Sequence, residues 1–139
     1  MIVLDTTVLV YAVGADHPLR EPCRAIVRAV GQGRVAGTTT VEVIQEFAHV
    51  RARRRGRVDA TRAGLDFATL LAPLVRPNDA DVRRGLELFR EHDQIGAFDA
   101  ILTATVLNDD RLTGVVSADR AFAKIPGLRH EFPADVSIP

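Results

Sequence analysis

The chain has little of several residue types. Among its 139 residues are one cysteine, one lysine, one tyrosine and no tryptophan. The lone Cys23 excludes an internal disulfide and is typical of a reducing compartment. No run approaches the roughly 18 apolar residues that span a bilayer. The apolar start of the chain is broken at Asp5 and follows no basic residues, so it does not resemble a signal peptide. We therefore expect a cytoplasmic protein with no membrane partner.

The same scarcity argues against a zinc site and against extensive stacking of nucleobases. Without a cluster of cysteines and histidines, the chain lacks the ligands that structural and catalytic zinc ions prefer. With six phenylalanines, one tyrosine and no tryptophan, aromatic platforms for stacking nucleobases are few. We expect any nucleic-acid target to be recognised largely by its shape. Nothing in the sequence favours a serine or cysteine nucleophile.

The composition is otherwise that of an ordinary globular protein, with 47% hydrophobic and 26% charged residues. This length predicts a single domain, 1–139, with a proper core. Acidic and basic residues balance at 18 each, but the basic ones are unevenly placed. Local positive fields matter more for nucleic acid than the net charge. The candidate RNA-binding arginines form a cluster, Arg51, Arg53, Arg54, Arg55 and Arg57, and a helical stripe, Arg20, Arg24 and Arg28. An ordinary solvated helix face is the alternative interpretation of each.

Short apolar runs alternate with helical patterns along the chain. Strands are predicted at 2–4, 35–38, 74–76, 112–117 and 128–131. Helices are predicted at 8–12, 18–30, 41–54, 58–72, 78–92, 97–107 and 120–124, with Leu65 facing inward on the fourth. This alternation indicates an α/β, three-layer fold with a mainly parallel central sheet of four to five short strands flanked by helices.

The first strand runs directly into a carboxylate, Asp5, which is followed by Thr6 and Thr7. In an open α/β sheet, ligands bind at the carboxyl ends of the strands, which favours a site role for Asp5. A helix N-cap is the competing interpretation, since aspartate and threonine both cap helices. On balance the capping role suits the threonines better.

Three further acids also lie at the ends of predicted elements. Asp119 follows the strand at 112–117, Asp99 begins a helix, and Glu46 lies in the first half of another helix. In a parallel sheet all of these positions, with Asp5, are able to face one cleft. Each acid also has a structural interpretation, as a helix cap, a helix-terminal charge or an ion-pair partner of an arginine such as Arg53.

Four facing carboxylates repel one another unless protons or a cation neutralise them. Hard oxygen ligands with open positions suit Mg²⁺, with Mn²⁺ as a substitute. The chemistry that such an ion serves best is displacement at phosphorus, in which it activates water and stabilises the leaving oxygen.

At this point the chain resembles a known family, the PIN-domain ribonucleases, and in length the VapC toxins of bacterial toxin–antitoxin pairs. The similarity lies in four segments, in the family's order: 2–9 (IVLDTTVL), 43–47 (VIQEF), 98–100 (FDA) and 116–122 (VSADRAF). The resemblance implies a PIN-like fold, a Mg²⁺-dependent endoribonuclease, a VapB-like antitoxin and a homodimer. It implies that Asp5, Glu46, Asp99 and Asp119 are the catalytic acids, that the three aspartates bind the metal, and that Thr6 and Ser117 are their polar neighbours.

One choice stays open within the resemblance. Glu42 lies four residues before Glu46 on the same helix stripe, although the following Phe47 favours Glu46. His17 and His49 are conceivable proton donors, for which a surface position is the simpler expectation.

Two other functions compete with the nuclease. A receiver-like phosphoacceptor domain also places acids at strand ends, but it has adjacent acids early in the chain and a lysine after a late strand. Here the only lysine is Lys124. A catalytically idle PIN-like RNA-binding module is the third possibility, and the presence of all four mutually repelling acids argues against it.

Overall fold

The structure is built on a four-stranded parallel sheet, as a computed structural model of residues 1–139 describes it. The strands are β1 (Ile2–Leu4), β2 (Gly37–Thr38), β3 (Gly114–Val116) and β4 (His130–Glu131). Their order is β2-β1-β3-β4, and every pairing is parallel. Val3 lies beside Thr38 on one side and Val115 on the other, so β1 is an interior strand. The carboxyl ends of β1 and β3 therefore meet at one edge of the sheet.

Six α-helices flank the sheet, and the predicted α/β fold is confirmed. They are α1 (Thr6–Ala12), α2 (Arg20–Gly31), α3 (Val41–Arg55), α4 (Arg57–Leu70), α5 (Asp79–Glu91) and α6 (Ala97–Asn108). Short 3₁₀ helices cover Arg120–Lys124 and Pro133–Asp135. Helix α1 packs on α2 and α3, α3 packs on α4, and α5 pairs with α6, which contacts β3. None of these helices has the length and apolar character needed to cross a membrane.

Local sequence signals set the helix boundaries. The Thr40 side chain caps α3 by accepting a hydrogen bond from the backbone N–H of Val43 at 3.2 Å. Asn78 and Asp81 form a reciprocal capping box at the start of α5. Gly56 separates α3 from α4 with a φ of 86°, a conformation that suits glycine.

The core fills the space between the sheet and the helices. Val3 and Leu4 of β1 and Val115 and Val116 of β3 are almost completely buried. The helices add apolar side chains to it, among them Val8, Leu9, Ile26, Val43, Phe47 and Leu71. Phe47 of α3 meets Phe67 of α4 edge-to-face, with ring centroids 5.0 Å apart. This core holds α1 and α3 firmly against the sheet edge where the predicted acids lie.

Two sequence predictions were wrong. Residues 74–76 do not form a strand, since Val75 makes only one parallel bridge, with Thr40. The chain turns into α3 directly after Thr40, so no partner remains for a longer ladder. Leu65 does not face inward but is 63% exposed, because α4 packs on α3 with its other side and leaves this face without a neighbour.

Candidate active site

A cavity of about 330 Å³ opens at the carboxyl edge of β1 and β3. All four predicted acids line it. Its wall consists of Asp5, Thr6, Thr7, Val10, Tyr11, Glu46, Val50, Arg54, Asp99 and Asp119. The structure thus brings together four acids that are separated by up to 114 positions in the chain, as the parallel sheet predicted.

Asp5 is the most buried of these acids, with 3% of its surface exposed. Its backbone N–H continues the sheet by donating to the carbonyl of Val116 at 3.0 Å. Its Oδ2 accepts hydrogen bonds from Ser117 Oγ at 2.7 Å and Thr7 Oγ1 at 3.0 Å. Burial raises the pKa of Asp5, and these hydroxyl donors act against that rise. Although Asp5 directly precedes α1, its side chain makes no capping hydrogen bond, so the simple cap interpretation fails.

The threonines do not cap α1 either, because both lie inside the helix. The Thr7 hydroxyl instead links β1 to the loop after β3, donating to Asp5 and accepting from the backbone N–H of Ala118 at 3.0 Å. The Thr6 hydroxyl donates to Glu46 Oε2. Both hydroxyls therefore hold acids of the cavity in place.

Ser117 joins Asp5 to Asp119. Its buried hydroxyl donates to Asp5 and accepts from the backbone N–H of Asp119 at 3.0 Å. Asp119 in turn caps the following 3₁₀ helix, since its Oδ1 accepts from the N–H of Ala121 at 2.9 Å. The capping interpretation of Asp119 is correct, and the same residue also lines the cavity.

The geometry separates Glu46 from Glu42. Glu46 lines the acidic cavity and is held by Thr6, and it forms none of the ion pairs of the chain. Glu42, one helical turn earlier, lines a separate small cavity of about 80 Å³ beside Phe98 and Ile101. Its Oε2 is buried there without a hydrogen-bond partner.

Asp99 has a raised pKa that reflects its surroundings in the cavity. Burial, followed by the charges of Asp5, Asp119 and Glu46, raises the pKa of Asp99 to about 7. Asp99 lies in the first turn of α6, whose dipole favours the ionised carboxylate. Burial and the neighbouring acids together outweigh that effect, so Asp99 holds its proton more tightly than an ordinary aspartate does.

This donor set fits a hard divalent cation. Its atoms are carboxylate and hydroxyl oxygens, the ligands that Mg²⁺ and Mn²⁺ prefer, and a cation would relieve the repulsion that perturbs Asp99. No three acidic, histidine or cysteine side chains lie close enough together in this structure to hold a metal ion by themselves. An open arrangement suits an ion that keeps several waters better than one fully enclosed by protein.

Comparison with known proteins identifies the family. Residues 2–128 match the PIN domain family. The chain is 50% identical over 134 residues to Ribonuclease VapC7 of Mycobacterium tuberculosis, covering 96% of this chain and 92% of that protein. It is 28% identical to Ribonuclease VapC13 of the same species, over 93% of this chain and 98% of that one. With Ribonuclease VapC23 it shares 33% identity over 73% of this chain and 79% of the relative.

The chain belongs to the VapC-type PIN-domain ribonucleases. The resemblance seen in the four sequence segments is therefore confirmed. Because the chain belongs to the PIN domain family, the receiver-domain alternative is excluded. The match extends over both strands that carry site residues and over all six helices. The end of β1, the loop after β3, the first half of α3 and the first turn of α6 thus bring the acids of this PIN domain to a single cavity.

The candidate arginines of the PIN domain divide into two groups. Arg51 bonds Asp59 at 2.6 Å and the carbonyl of Val13 at 2.9 Å, and Arg24 bonds the carbonyl of Ala12 at 2.9 Å. The structure uses both of these side chains internally. Arg20 is half-buried, and its Nε has no partner. In the other group, Arg53, Arg54, Arg55 and Arg57 are exposed and in no ion pair, and Arg54 also lines the acidic cavity.

Sequence reasoning missed four residues of the cavity wall in this PIN domain: Thr7, which supports Asp5, and Val10, Tyr11 and Val50. Helical spacing contained the signal, because Tyr11 follows Thr7 by four residues and so lies on the same face of α1. His17 and His49, the candidate proton donors, do not line the cavity.

A larger cavity, of about 550 Å³, lies at the amino-terminal edge of β1 and β3. Its acids Asp81 and Asp109 already have partners within the PIN domain, whereas Arg76 and Asp110 form no ion pair. Asp81 accepts from Asn78 and Asn108, and Asp109 pairs with Arg111 at 2.7 Å, which lowers the pKa of Asp109 to about 2. Unlike the acidic cavity, this one holds no cluster of like charges that calls for a ligand.

Proposed function

We propose that the chain is a Mg²⁺-dependent endoribonuclease that hydrolyses RNA phosphodiester bonds, and that it acts in the cytoplasm as the toxin of a type II toxin–antitoxin pair. The observation that carries the proposal is the convergence of Asp5, Glu46, Asp99 and Asp119 on one cavity, with the pKa of Asp99 raised to about 7 by burial and the other three acids. The family and the ribonuclease names of the relatives support RNA as the substrate.

Asp5, Asp99 and Asp119 would hold the Mg²⁺ ion, for which Mn²⁺ is a plausible substitute. When bound, the ion supplies an activated water and stabilises charge on the leaving oxygen. Ser117 and Thr7 fix the orientation of the Asp5 carboxylate through their hydroxyls. Glu46, held by Thr6, lies at the cavity wall, where it is able to orient a water or accept its proton. Arg54 places a positive charge beside the acids for a phosphate of the RNA.

The partners follow from the same assignment. A VapB-like antitoxin would block the toxin, and a homodimer would be its assembled form. Two exposed apolar faces support protein partners: Val58 and Leu65 on α4, and Val82, Leu86 and Phe89 on α5. The second set recurs at i, i+4 and i+7, the spacing of one helix face. We assign this α5 stripe to the homodimer. Light scattering of the wild type and of Leu86→Glu tests the assignment, since the variant should be monomeric.

Substitution of the acids tests the nuclease. Purified protein is incubated with a mixture of folded cellular RNAs and Mg²⁺, and cleavage is followed by gel. We expect Asp5→Asn, Asp99→Asn and Glu46→Gln each to lower the cleavage rate by at least about 100-fold, because each removes a carboxylate that would hold the cation or orient the attacking water. Undiminished cleavage by the double variant Asp5→Asn/Asp99→Asn would contradict the proposed mechanism.

Two matched variants control for charge removal alone. Asp66→Asn alters an exposed acid on α4, and Glu42→Gln alters the glutamate outside the cavity. Both should cleave at the wild-type rate, with circular dichroism showing that all variants are folded. Calorimetric titration with Mg²⁺ and Mn²⁺ distinguishes the idle binding module: absence of metal binding by the wild type would favour that alternative.

A further inference from the structure

The acidic cavity continues as a groove between α1 and α3, and its far end differs in chemistry from its acidic end. Val10, Val50 and Arg54 line the acidic cavity and also a second cavity of about 160 Å³, which includes Arg51 and Arg55. On α3, Glu46, Val50 and Arg54 follow one another at four-residue spacing, so they lie along one face and span about 12 Å. The wall thus changes from acidic through apolar to basic along the helix.

Tyr11 lies on the opposite wall of this groove and is the only tyrosine of the chain. Its ring stacks on that of His17, with centroids 4.3 Å apart and planes 24° from parallel. His17 is itself held, because its Nδ1 accepts a hydrogen bond from the backbone N–H of Leu19 at 3.1 Å. The stack holds the Tyr11 ring in place before any ligand arrives, with His17 against one face of the ring and outside the cavity.

We propose that Tyr11, supported by His17, is a stacking surface for the nucleobase next to the phosphodiester bond that is cut. This inference rests on the proposed ribonuclease function. The phosphate to be cleaved lies at the acidic end of the cavity, the neighbouring base packs against the ring of Tyr11, and the next part of the RNA backbone passes Arg54. Tyr11 is a positioning residue, since it holds the substrate and takes no part in proton or metal chemistry.

The side chains that line the groove match the chemical groups of RNA. A nucleobase offers a π-face to any aromatic ring, and such stacking is tolerant of base identity. A phosphate backbone needs positive charge, and Arg54 is exposed, in no ion pair and on the same groove. The acidic end alone would repel RNA, so a separate source of affinity close to it is required.

A double-mutant cycle tests the inference. The protein variant is Tyr11→Leu, which keeps an apolar side chain against the core. The substrate variant is a short RNA with one abasic nucleotide, placed in turn on each side of the cleaved bond. We expect Tyr11→Leu to raise KM by about 5- to 100-fold with little change in kcat. An abasic nucleotide on one side of the cleaved bond should raise the KM of the wild type by a similar factor. It should not change the KM of the Tyr11→Leu protein.

Matched variants separate stacking from folding. Tyr11→Phe keeps the aromatic ring and should restore the wild-type KM. His49→Ala removes an exposed aromatic ring that does not line the cavity, and it should leave KM unchanged. His17→Ala should have a smaller effect than Tyr11→Leu, because it removes only the support of the tyrosine ring.

The outcomes distinguish this inference from the proposed function. If the wild type cuts no RNA, the nuclease proposal fails. If it cuts RNA and Tyr11→Leu has the wild-type KM, or if the abasic and protein effects are additive, the stacking inference is overturned while the nuclease stands. If Tyr11→Leu leaves RNA kinetics unchanged but weakens inhibition by a co-expressed antitoxin, the surface belongs to a peptide and the inference is likewise overturned.

Discussion

Ser117 Oγ donates a 2.7 Å hydrogen bond to Asp5 Oδ2 and accepts one from the backbone N–H of Asp119 at 3.0 Å. A single buried hydroxyl therefore sets the relative positions of two acids that are 114 residues apart in sequence. Because β1 and β3 are parallel neighbours, this contact lies at their shared carboxyl edge. The orientation of the Asp5 carboxylate, one of the proposed metal ligands, depends on it.

Removal of this hydroxyl gives the first prediction. Ser117→Ala should weaken Mg²⁺ binding and cleavage by about 10- to 100-fold while the protein stays folded, because supports of metal ligands commonly contribute that much. Calorimetry and cleavage kinetics measure the two effects. Ser137→Ala, at an exposed serine, is the control. Wild-type metal affinity in the Ser117 variant would show that Thr7 alone is able to orient Asp5.

The second prediction concerns pH. The pKa of Asp99 is about 7 in the folded protein against an ordinary value of 3.8, so the folded state holds this proton more tightly than the unfolded state. The resulting stabilisation is fully present below about pH 4 and is lost as the pH rises through 7. Without metal, Asp99→Asn should therefore be more stable than the wild type at pH 8, by about 1–2 kcal/mol after allowance for solvent screening.

Urea unfolding in EDTA at pH 4 and pH 8 measures this difference, which should vanish at the lower pH. Added Mg²⁺ should stabilise the wild type at pH 8 more than it stabilises Asp99→Asn, since the ion takes the place of the proton. Equal free energies of unfolding for the wild type and Asp99→Asn at pH 8 would mean that ionised Asp99 does not destabilise the folded protein.

The convergence of the acids was predictable from the sequence because two apolar strands each end at an aspartate. Parallel strands place such ends at one edge, and Asp5 and Asp119 meet there. The choice between Glu46 and Glu42 was not predictable on the same physical grounds. One helical turn separates them, about 6 Å along the axis, and only the packing of α3 decides which turn reaches the cavity.

The hydroxyls that support the acids, and the other residues of the cavity wall, were harder to predict from the sequence. Thr7 looks like an ordinary helix-start residue, and its bond to the N–H of Ala118 depends on a loop 111 residues away. Arg51 belongs to a run of arginines that resembles a solvated patch. Its pairing with Asp59 arises only because α4 folds back on α3 after Gly56. Long-range contacts of this kind leave no local pattern.

The arginine run yields the third prediction. Arg51 is 14% exposed and bonds both Asp59 and the Val13 carbonyl, so Arg51→Ala should lower the melting temperature by about 5 °C. Arg54→Ala should leave the melting temperature unchanged, weaken RNA binding and reduce the salt dependence of that binding by about one phosphate contact. Thermal denaturation and salt-dependent binding isotherms test the pair. If Arg54→Ala instead lowered the melting temperature and Arg51→Ala weakened RNA binding, Arg54 would have the structural role and Arg51 the RNA-binding role.

The packing of α5 against α6, whose first turn carries Asp99, depends on the absence of a side chain at Gly85. A Cβ at this position would lie 2.7 Å from Ile101 Cα and 3.0 Å from its backbone nitrogen, and backbone atoms cannot move aside without displacing α6. Gly85→Ala should therefore destabilise the fold by about 1–3 kcal/mol despite the better helix propensity of alanine. Gly64→Ala is the matched control, since its Cβ would meet only Ala48 Cβ at 3.9 Å, and it should be neutral or stabilising. Urea unfolding compares them, and equal stability of the two variants would show that α6 is free to shift with Asp99.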